Sequence, residues 1–313
     1  MTRLNLYEKI RTKLLDLGPN HPLLRFAIRT QARVSGFRVR VGAGRISLSK
    51  GERTVHVAER EYPSIPFIVH VWDHLFATTI AHKGEDGRDV LDFSEPALHT
   101  YRGNGLSFWF PGLVEDAAAD LYTRMHRPTT GDVVWDGGAH AGATTYFFSQ
   151  MVGSTGKVVA FEPDEENFQF LLRNIDLHSL HNVIPLKIAL AGATGRQMFS
   201  MSGTVGSGLL GRNQCFDNAA AREVETLSFA EACERFGVPS FVKLDIEGAE
   251  VEVIASAVET LRRAPIHLAI ETEHRLNDQL TSIPVGRMLR EIGYRVDSDR
   301  PTGEEFTWAT PPG

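Results

Sequence analysis

The 313-residue sequence predicts an α/β fold. Its main part reads as a mostly parallel sheet covered by helices on both faces, with an antiparallel strand near the C-terminus. A smaller α+β part precedes it. Three observations predict this. From residue 131 onward, short apolar β-rich runs alternate with longer helical stretches, the pattern of strand–helix crossovers. The last two runs are separated only by a turn, which makes one of them antiparallel. Before residue 130 the runs are short, glycine-broken and irregular. The division expected is 1–112 and 113–313.

Leu6, Ile10 and Leu14 recur at a spacing of four and predict an amphipathic helix ending near Gly18. A second helix is predicted over 22–34. Runs 37–41, 45–48 and 54–57, broken by Gly42, Gly44 and Gly51, read as a small antiparallel sheet. Residues 58–112 are rich in aromatics and proline and show no clean period. Residues 115–125 read as a helix. In the second part the strand candidates are 133–135, 158–161, 183–188, 241–244 and 268–270, followed by the pair 295–296 and 306–308. Helices are predicted at 143–151, 165–177, 229–236 and 249–262. Ser228, with Glu231 three residues on, has the form of a capping box. Residues 201–223 carry four glycines and no periodic core face, and read as a long mobile loop of the kind that often carries function.

Hydrophobic residues at 42% and charged residues at 23% fit a globular chain and exclude a disordered tail or a collagen-like rod. No window reaches about 18 consecutive apolar residues, so no transmembrane segment is expected. The first residues lack an apolar leader core, and a cytoplasmic protein is the expectation. Two cysteines, Cys215 and Cys233, are too few for a disulfide scaffold or a four-cysteine zinc site. The net charge of −6 hides an asymmetry: residues 1–60 carry +9 and the remainder −15. One reading is an arm docked on its own acidic body; the other is peripheral contact with an anionic surface.

The first site-bearing motif is VVWDGGAHAGATT. A strand ends at Asp136, a helix opens near Gly142, and Gly138 and Gly142 permit a tight turn with close backbone approach by a ligand. Glu162 closes the next strand, at the distance where an acidic residue accepts hydrogen bonds from ribose hydroxyls. The dinucleotide fingerprint and the P-loop are both absent. Asp136 is ill placed beside a pyrophosphate and well placed beside a cation. S-adenosylmethionine carries an ammonium, a sulfonium and no phosphate, and is the cofactor this charge pattern favours.

DGGAHAGATT, FEPDEENFQFLLRN, KIALAG, FVKLDIEGAE and IETEH, in that order, resemble the FkbM-type methyltransferases, a family of class I S-adenosylmethionine-dependent enzymes. The resemblance runs from about residue 115 to 273. It implies a Rossmann-like class I methyltransferase sheet. It implies that Asp136, Gly138, His140 and Gly142 wrap the methionine part and sugar of the cofactor, that Glu162 holds the ribose diol and that Ala189 lies along the adenine edge. His140 stands where the family more often has Asn. Asn174 closes the second motif.

Asp245, Glu247 and Glu250 form the densest acidic cluster, with Asp245 at a strand end where open parallel sheets place ligands. Glu247 and Glu250 equally suit the start of a helix. Lys243 is expected to pair with a neighbouring carboxylate. Glu271 and His274 project near the same rim. Methylation of an oxygen needs its proton removed. A histidine near neutral pKa suits that task; carboxylates such as Asp245 and Glu271 could instead hold a divalent metal. The residues leave both routes open.

The function expected is O-methyl transfer to a hydroxyl of a sugar, glycan or small natural-product acceptor, as the resemblance implies. Residues 1–112 are expected to serve acceptor binding or homo-oligomerisation. A non-catalytic interaction scaffold is the alternative. Nucleic-acid methylation is disfavoured, because the basic arm does not interleave aromatics with its charges and the N/D-P-P-Y/F tetrapeptide is absent.

Overall fold

The computed structural model describes residues 21–115, 119–200, 208–209, 221–276, 279–300 and 305–313. They form two compact units that divide after Glu115. The helix expected over residues 6–14 lies outside the described residues.

The first unit opens with α1 (Pro22–Val34), where Leu24, Ile28 and Ala32 make one buried stripe and His21 caps the N-terminus. Strands β1 (Arg38–Gly42), β2 (Arg45–Lys50) and β3 (Arg53–Ala58) follow as antiparallel neighbours. Next come a 3-10 turn and two short helices, α2 (Ile65–His70) and α3 (Trp72–Thr78). Strands β4 (His82–Lys83) and β5 (Asp89–Phe93) complete a sheet of order β1-β2-β3-β5-β4, in which β5 runs parallel to β3. A hairpin, β6 (Ala97–Thr100) and β7 (Ser107–Phe110), closes the unit. Its core includes Ile46, Leu48, Val55 and Val57, none exposed. The basic residues are answered locally: Arg25 pairs with Glu59 at 2.8 Å, Arg53 with Asp73 at 2.9 Å and Arg45 with Asp92 at 3.8 Å. For these three arginines, the arm's partners are carboxylates of its own unit.

The second unit is the predicted alternation. It runs β8 (Val133–Gly137), α4 (Ala143–Val152), β9 (Lys157–Phe161), α5 (Glu165–Leu177), β10 (Val183–Leu186), β11 (Ala189–Ala191), β12 (Gly195–Ser200), β13 (Gly208–Leu209), β14 (Ala221–Ser228) and α6 (Phe229–Phe236). It continues with β15 (Phe241–Leu244), α7 (Glu250–Arg263), β16 (His267–Glu271), the small pair β17 (Arg275–Leu276) and β18 (Gln279–Leu280), α8 (Ser282–Glu291), β19 (Arg295–Asp299) and β20 (Phe306–Thr310). The seven-stranded sheet has the order β10-β9-β8-β15-β16-β20-β19. It is parallel except for β20, which runs against both β16 and β19. The order reverses between β8 and β15, and such a switch point is where open sheets hold ligands.

Side chains alternate across this sheet. Trp135, Val159, Val242 and Leu268 face one core with Val253 and Ile254 of α7. Val134, Val158, Phe241 and Ala269 face the other, against Phe148 of α4. A period of two on a sheet buried on both faces produces the continuous apolar runs seen in the sequence. Ser228 caps α6 through Glu231 N at 3.3 Å, and Asp164 caps α5 through Glu166 N at 2.9 Å.

Two expectations are corrected. Residues 119–125 form turns, not a helix. Trp308 Nε1 donates to the Leu121 carbonyl at 2.9 Å, and Thr123 Oγ1 donates to Ala119 O at 3.0 Å. The tryptophan takes the acceptor that a helix would offer to residue 125, and a hydroxyl competes with the backbone. The loop expected over 201–223 is in part strand: β13 lies within it and β14 begins at Ala221, antiparallel to β12. The rest of that loop, with Cys215, lies outside the described residues. Among the described residues no helix is long and apolar enough to cross a membrane.

Trp308 is 1% exposed and stacks on Phe306 at 5.7 Å. Trp308→Ala removes this packing and leaves the Leu121 carbonyl without its donor. It is expected to lower stability by about 3–5 kcal/mol in chemical denaturation.

Candidate functional site

The site is built where β8, β9 and β15 end. β8 runs into a turn that needs glycine. Gly138 has φ +74°, and a Cβ there would lie 1.8 Å from the Asp245 carbonyl oxygen. Gly142 has φ +86°, and a Cβ there would lie 2.6 Å from Leu171 Cδ1. His140, between them, also adopts a positive φ of 47°. The turn is tied down from two sides: Gly138 N and Ala139 N donate to Phe161 O at 3.0 Å, and Asn174 Nδ2 donates to Ala141 O at 2.7 Å. The buried Asn174 thus joins α5 to the turn, which explains its place in the sequence motif.

Asp136 is fully buried. Thr145 Oγ1 donates to its Oδ2 at 2.6 Å, and Lys243 Nζ stands 3.2 Å from Oδ1. The same ammonium donates to Gly138 O at 2.7 Å and lies 5.4 Å from the Tyr122 ring centre. The carboxylate read in the sequence as facing a cationic ligand therefore faces a cation of its own chain. Lys243 does pair with a neighbouring carboxylate, as expected. Thr145 and Tyr122 were not singled out in the sequence; the paired threonines after Gly142 were the only signal for the former.

Glu162 ends β9 in an almost sealed position, 4% exposed. Its two oxygens accept from His140 N and Asp164 N, both at 2.8 Å. Burial pushes its pKa up to about 7, against the pull of His140 and the two amides. His140 is itself buried, so turn and carboxylate form one preset unit. Ala189 opens β11 and packs among Ala191, Phe199, Val224 and Ala249. That enclosure in an apolar cluster gives its methyl a packing role.

The acidic cluster converges on His274. Its Nε2 lies 3.1 Å from Glu247 Oε2, and its Nδ1 lies 3.4 Å from Glu250 Oε1. Glu250, fully buried at the start of α7, also accepts from Gly248 N at 3.0 Å and Ile246 N at 3.3 Å. Glu250 thus both ties down the turn before α7 and partners the histidine. Burial works against the His274 cation, but Glu250 and Glu247 outweigh it and hold its pKa well above 6.5. The shift runs opposite to the near-neutral value that suits a general base at this position. Burial raises Asp245 to about 6, opposed by Lys243. The Asp245 side chain is 31% exposed, and Lys243 Nζ lies 4.0 Å away. Asp245, Glu247 and His274 bring one ligand atom each to within 4.8 Å of one another. Glu271 stands apart from that group, where Tyr122 OH donates to it at 3.5 Å. Burial pushes the Cys233 thiol up to about 11.

Removing one member of a buried ion pair strands the other. Lys243→Met is expected to cost about 3–5 kcal/mol, and adding Asp136→Asn to recover part of that loss, both measured by chemical denaturation. A carboxyl raised from 4.5 to about 7 stabilises the fold fully below about pH 4.5 and loses that contribution as pH rises through 7. Glu162→Gln is therefore expected to flatten the fall in stability between pH 5 and 8, measured by denaturation at each pH.

A family model described as the methyltransferase FkbM domain matches residues 136–296. The hexuronic acid methyltransferase AglP of Haloferax volcanii is 30% identical over 133 residues, which are 42% of this chain and 52% of that protein. The chain thus spans about half the length of the curated relative it matches. Among solved structures, methyltransferase FkbM from Methylobacillus flagellatus aligns at 17% identity and TM-score 0.45, covering 61% of this chain and 47% of that one. Fibrillarin of Aeropyrum pernix, solved with S-adenosyl-L-methionine, aligns at 12% identity and TM-score 0.40, covering 87% and 98%. The family model begins at Asp136 and takes in the glycine turn, Glu162 and the Asp245–His274 cluster, and with a match over more than half of its length the chain belongs to the FkbM methyltransferase family.

Proposed function

We infer that this chain transfers a methyl group from S-adenosylmethionine to a hydroxyl of a sugar or glycan acceptor. The observation that carries the reading is the preset turn at Gly138, tied to the end of β9, set beside the amide-fixed carboxylate of Glu162. That pairing fits the cofactor: the residual lone pairs of Glu162 suit a ribose diol, and the turn offers no cradle for a pyrophosphate. The sugar class of the acceptor is inferred from the relative named a hexuronic acid methyltransferase.

The cofactor, when bound, supplies an electrophilic methyl on a sulfonium. The chain supplies orientation, and holding the reacting atoms in line is worth about 7–11 kcal/mol where the fit is good. Lys243 fixes the Gly138 carbonyl, and Asp136 and Thr145 serve by holding Lys243 and the first turn of α4. Gly142 opens α4 with its free amides. His140 contributes its amide to Glu162. Asp245 and Glu271, at the ends of neighbouring strands, are the groups we assign to orienting the acceptor hydroxyl. Residues 1–112 are assigned to acceptor binding or self-association.

Calorimetry with S-adenosylmethionine tests the cofactor assignment. The wild-type chain is expected to bind, and Glu162→Ala to bind roughly tenfold more weakly or worse, since a lost buried hydrogen bond to a charged group is worth about 1.5–3 kcal/mol. Asp245→Asn is expected to keep cofactor affinity while slowing product formation about 100-fold in mass spectrometry of uronic-acid-terminated glycans. No binding at millimolar cofactor favours an interaction scaffold and overturns this reading.

A further inference from the structure

We propose that Asp245, Glu247 and His274 form a binding site for one divalent first-row metal cation at the C-terminal end of β15. The three residues come from different segments: the end of β15, the turn before α7, and the segment after β16. Their ligand atoms lie within 4.8 Å of one another, close enough to share one ion. Two carboxylate oxygens and one imidazole nitrogen form a mixed donor set that suits ions such as Mn2+, Fe2+ or Zn2+.

Carboxylates gathered at a strand end would not by themselves make a site. The orientation of His274 is the second observation. Its ring is about nine-tenths buried and bridges two carboxylates of unlike character. Nδ1 faces Glu250 Oε1 at 3.4 Å; Nε2 faces Glu247 Oε2 at 3.1 Å, on the side of the cluster. A metal-bound histidine characteristically holds its other nitrogen against a carboxylate, which fixes the tautomer and aims the lone pair at the ion. Glu250 has that part. It has no exposure, and the amides of Ile246 and Gly248 hold the same oxygen that meets His274. Glu247, in the turn before α7, has a positive φ of 55° and a side chain that is a quarter exposed.

Asp245 completes the set. Its side chain is about a third exposed and accepts no hydrogen bond from any described residue. The nearest described cation, Lys243 Nζ at 4.0 Å, lies closer to Asp136 at 3.2 Å and donates to Gly138 O. A carboxylate half withdrawn from water, with its neighbouring ammonium engaged elsewhere, is a ready ligand for a cation. Within the methyl-transfer reading, on which this role rests, a cation there acidifies the acceptor hydroxyl. The hydroxyl proton leaves to water, the O–CH3 bond forms as the sulfonium S–CH3 bond breaks, and the thioether departs.

The full-length chain, stripped with EDTA, is titrated with MnCl2 while the free Mn2+ signal is followed by electron paramagnetic resonance. One Mn2+ per chain is expected, displaced by Zn2+. Binding is expected to weaken at least about tenfold in both His274→Ala and the near-isosteric Glu247→Gln, and by a similar factor in Glu250→Gln, which alters only the orienting carboxylate. Circular dichroism shows which variants are folded, and Glu247→Gln keeps the test open if His274→Ala is not. No uptake by the wild-type chain at about 1 mM Mn2+, the weak end of biological divalent-ion affinity, or uptake unchanged in the folded variants, overturns the site. A parallel S-adenosylmethionine titration on the metal-free chain separates the two readings: lost cofactor binding with Mn2+ uptake intact counts against methyl transfer and leaves the cation site standing.

Discussion

Everything at the switch point depends on one buried ammonium. Lys243 Nζ sits between the Asp136 carboxylate at 3.2 Å and the Gly138 carbonyl at 2.7 Å, with hardly any exposure. A lone charge of either sign would be costly there, so each member is tolerated only because of the other. The pair joins two neighbouring strands whose register sets Lys243 opposite Asp136. Two strands far apart in sequence thereby meet with their ends aligned, and the turn that follows β8 inherits its position from that alignment. Tyr122 lies beside the ammonium and Thr145 beside the carboxylate, extending the network into α4 and the segment before β8.

The second unit was legible in the sequence because its strands are buried on both faces and its helices are capped. The runs over 133–135, 158–161 and 241–244 carry side chains to two cores at once, and no other element type demands such unbroken apolarity over so short a span. The helix over 165–177 was readable from the acidic residues at its start, where Asp164 caps it. Residues 58–112 were not legible. Their helices α2 and α3 have six and seven residues, too short to show a period, and prolines stand within the turn and at the start of α2. The antiparallel pairing of β12 with β14 was missed for another reason: the partners are distant in sequence, and pairing of that kind leaves little local pattern.

For the candidate site, the sequence indicates which residues share a strand end but not which partners they meet. Asp136, Gly138, Gly142 and Glu162 all gather at the strand ends where they were expected. Spacing along a chain says which residues share a strand end, but not which of two nearby cations a carboxylate meets. Lys243 was two residues from Asp245 in sequence and proved closer to Asp136. An isolated imidazole titrates near neutrality, which is why the sequence offers His274 as a base beside the metal route. Glu250, at the start of a helix, also reaches that ring, and only the folded geometry brings the two together.

The contact between Gly138 and Asp245 sets the distance between the two halves of the site. The space a side chain at 138 would need is already filled by the Asp245 carbonyl, 1.8 Å from its would-be Cβ, and Asp245 N donates to Gly137 O at 3.1 Å. The glycine turn and the carboxylate cluster are thus joined backbone to backbone, with no side chain able to act as a spacer or relax by changing rotamer. Group transfer tolerates little slack between donor and acceptor; a misplacement near 1 Å can cost about 100-fold in rate. Glycine at 138 follows from that requirement, independently of any contact a ligand makes. The separation between the Glu162 side and the Asp245 side of the turn is therefore a property of the sheet itself.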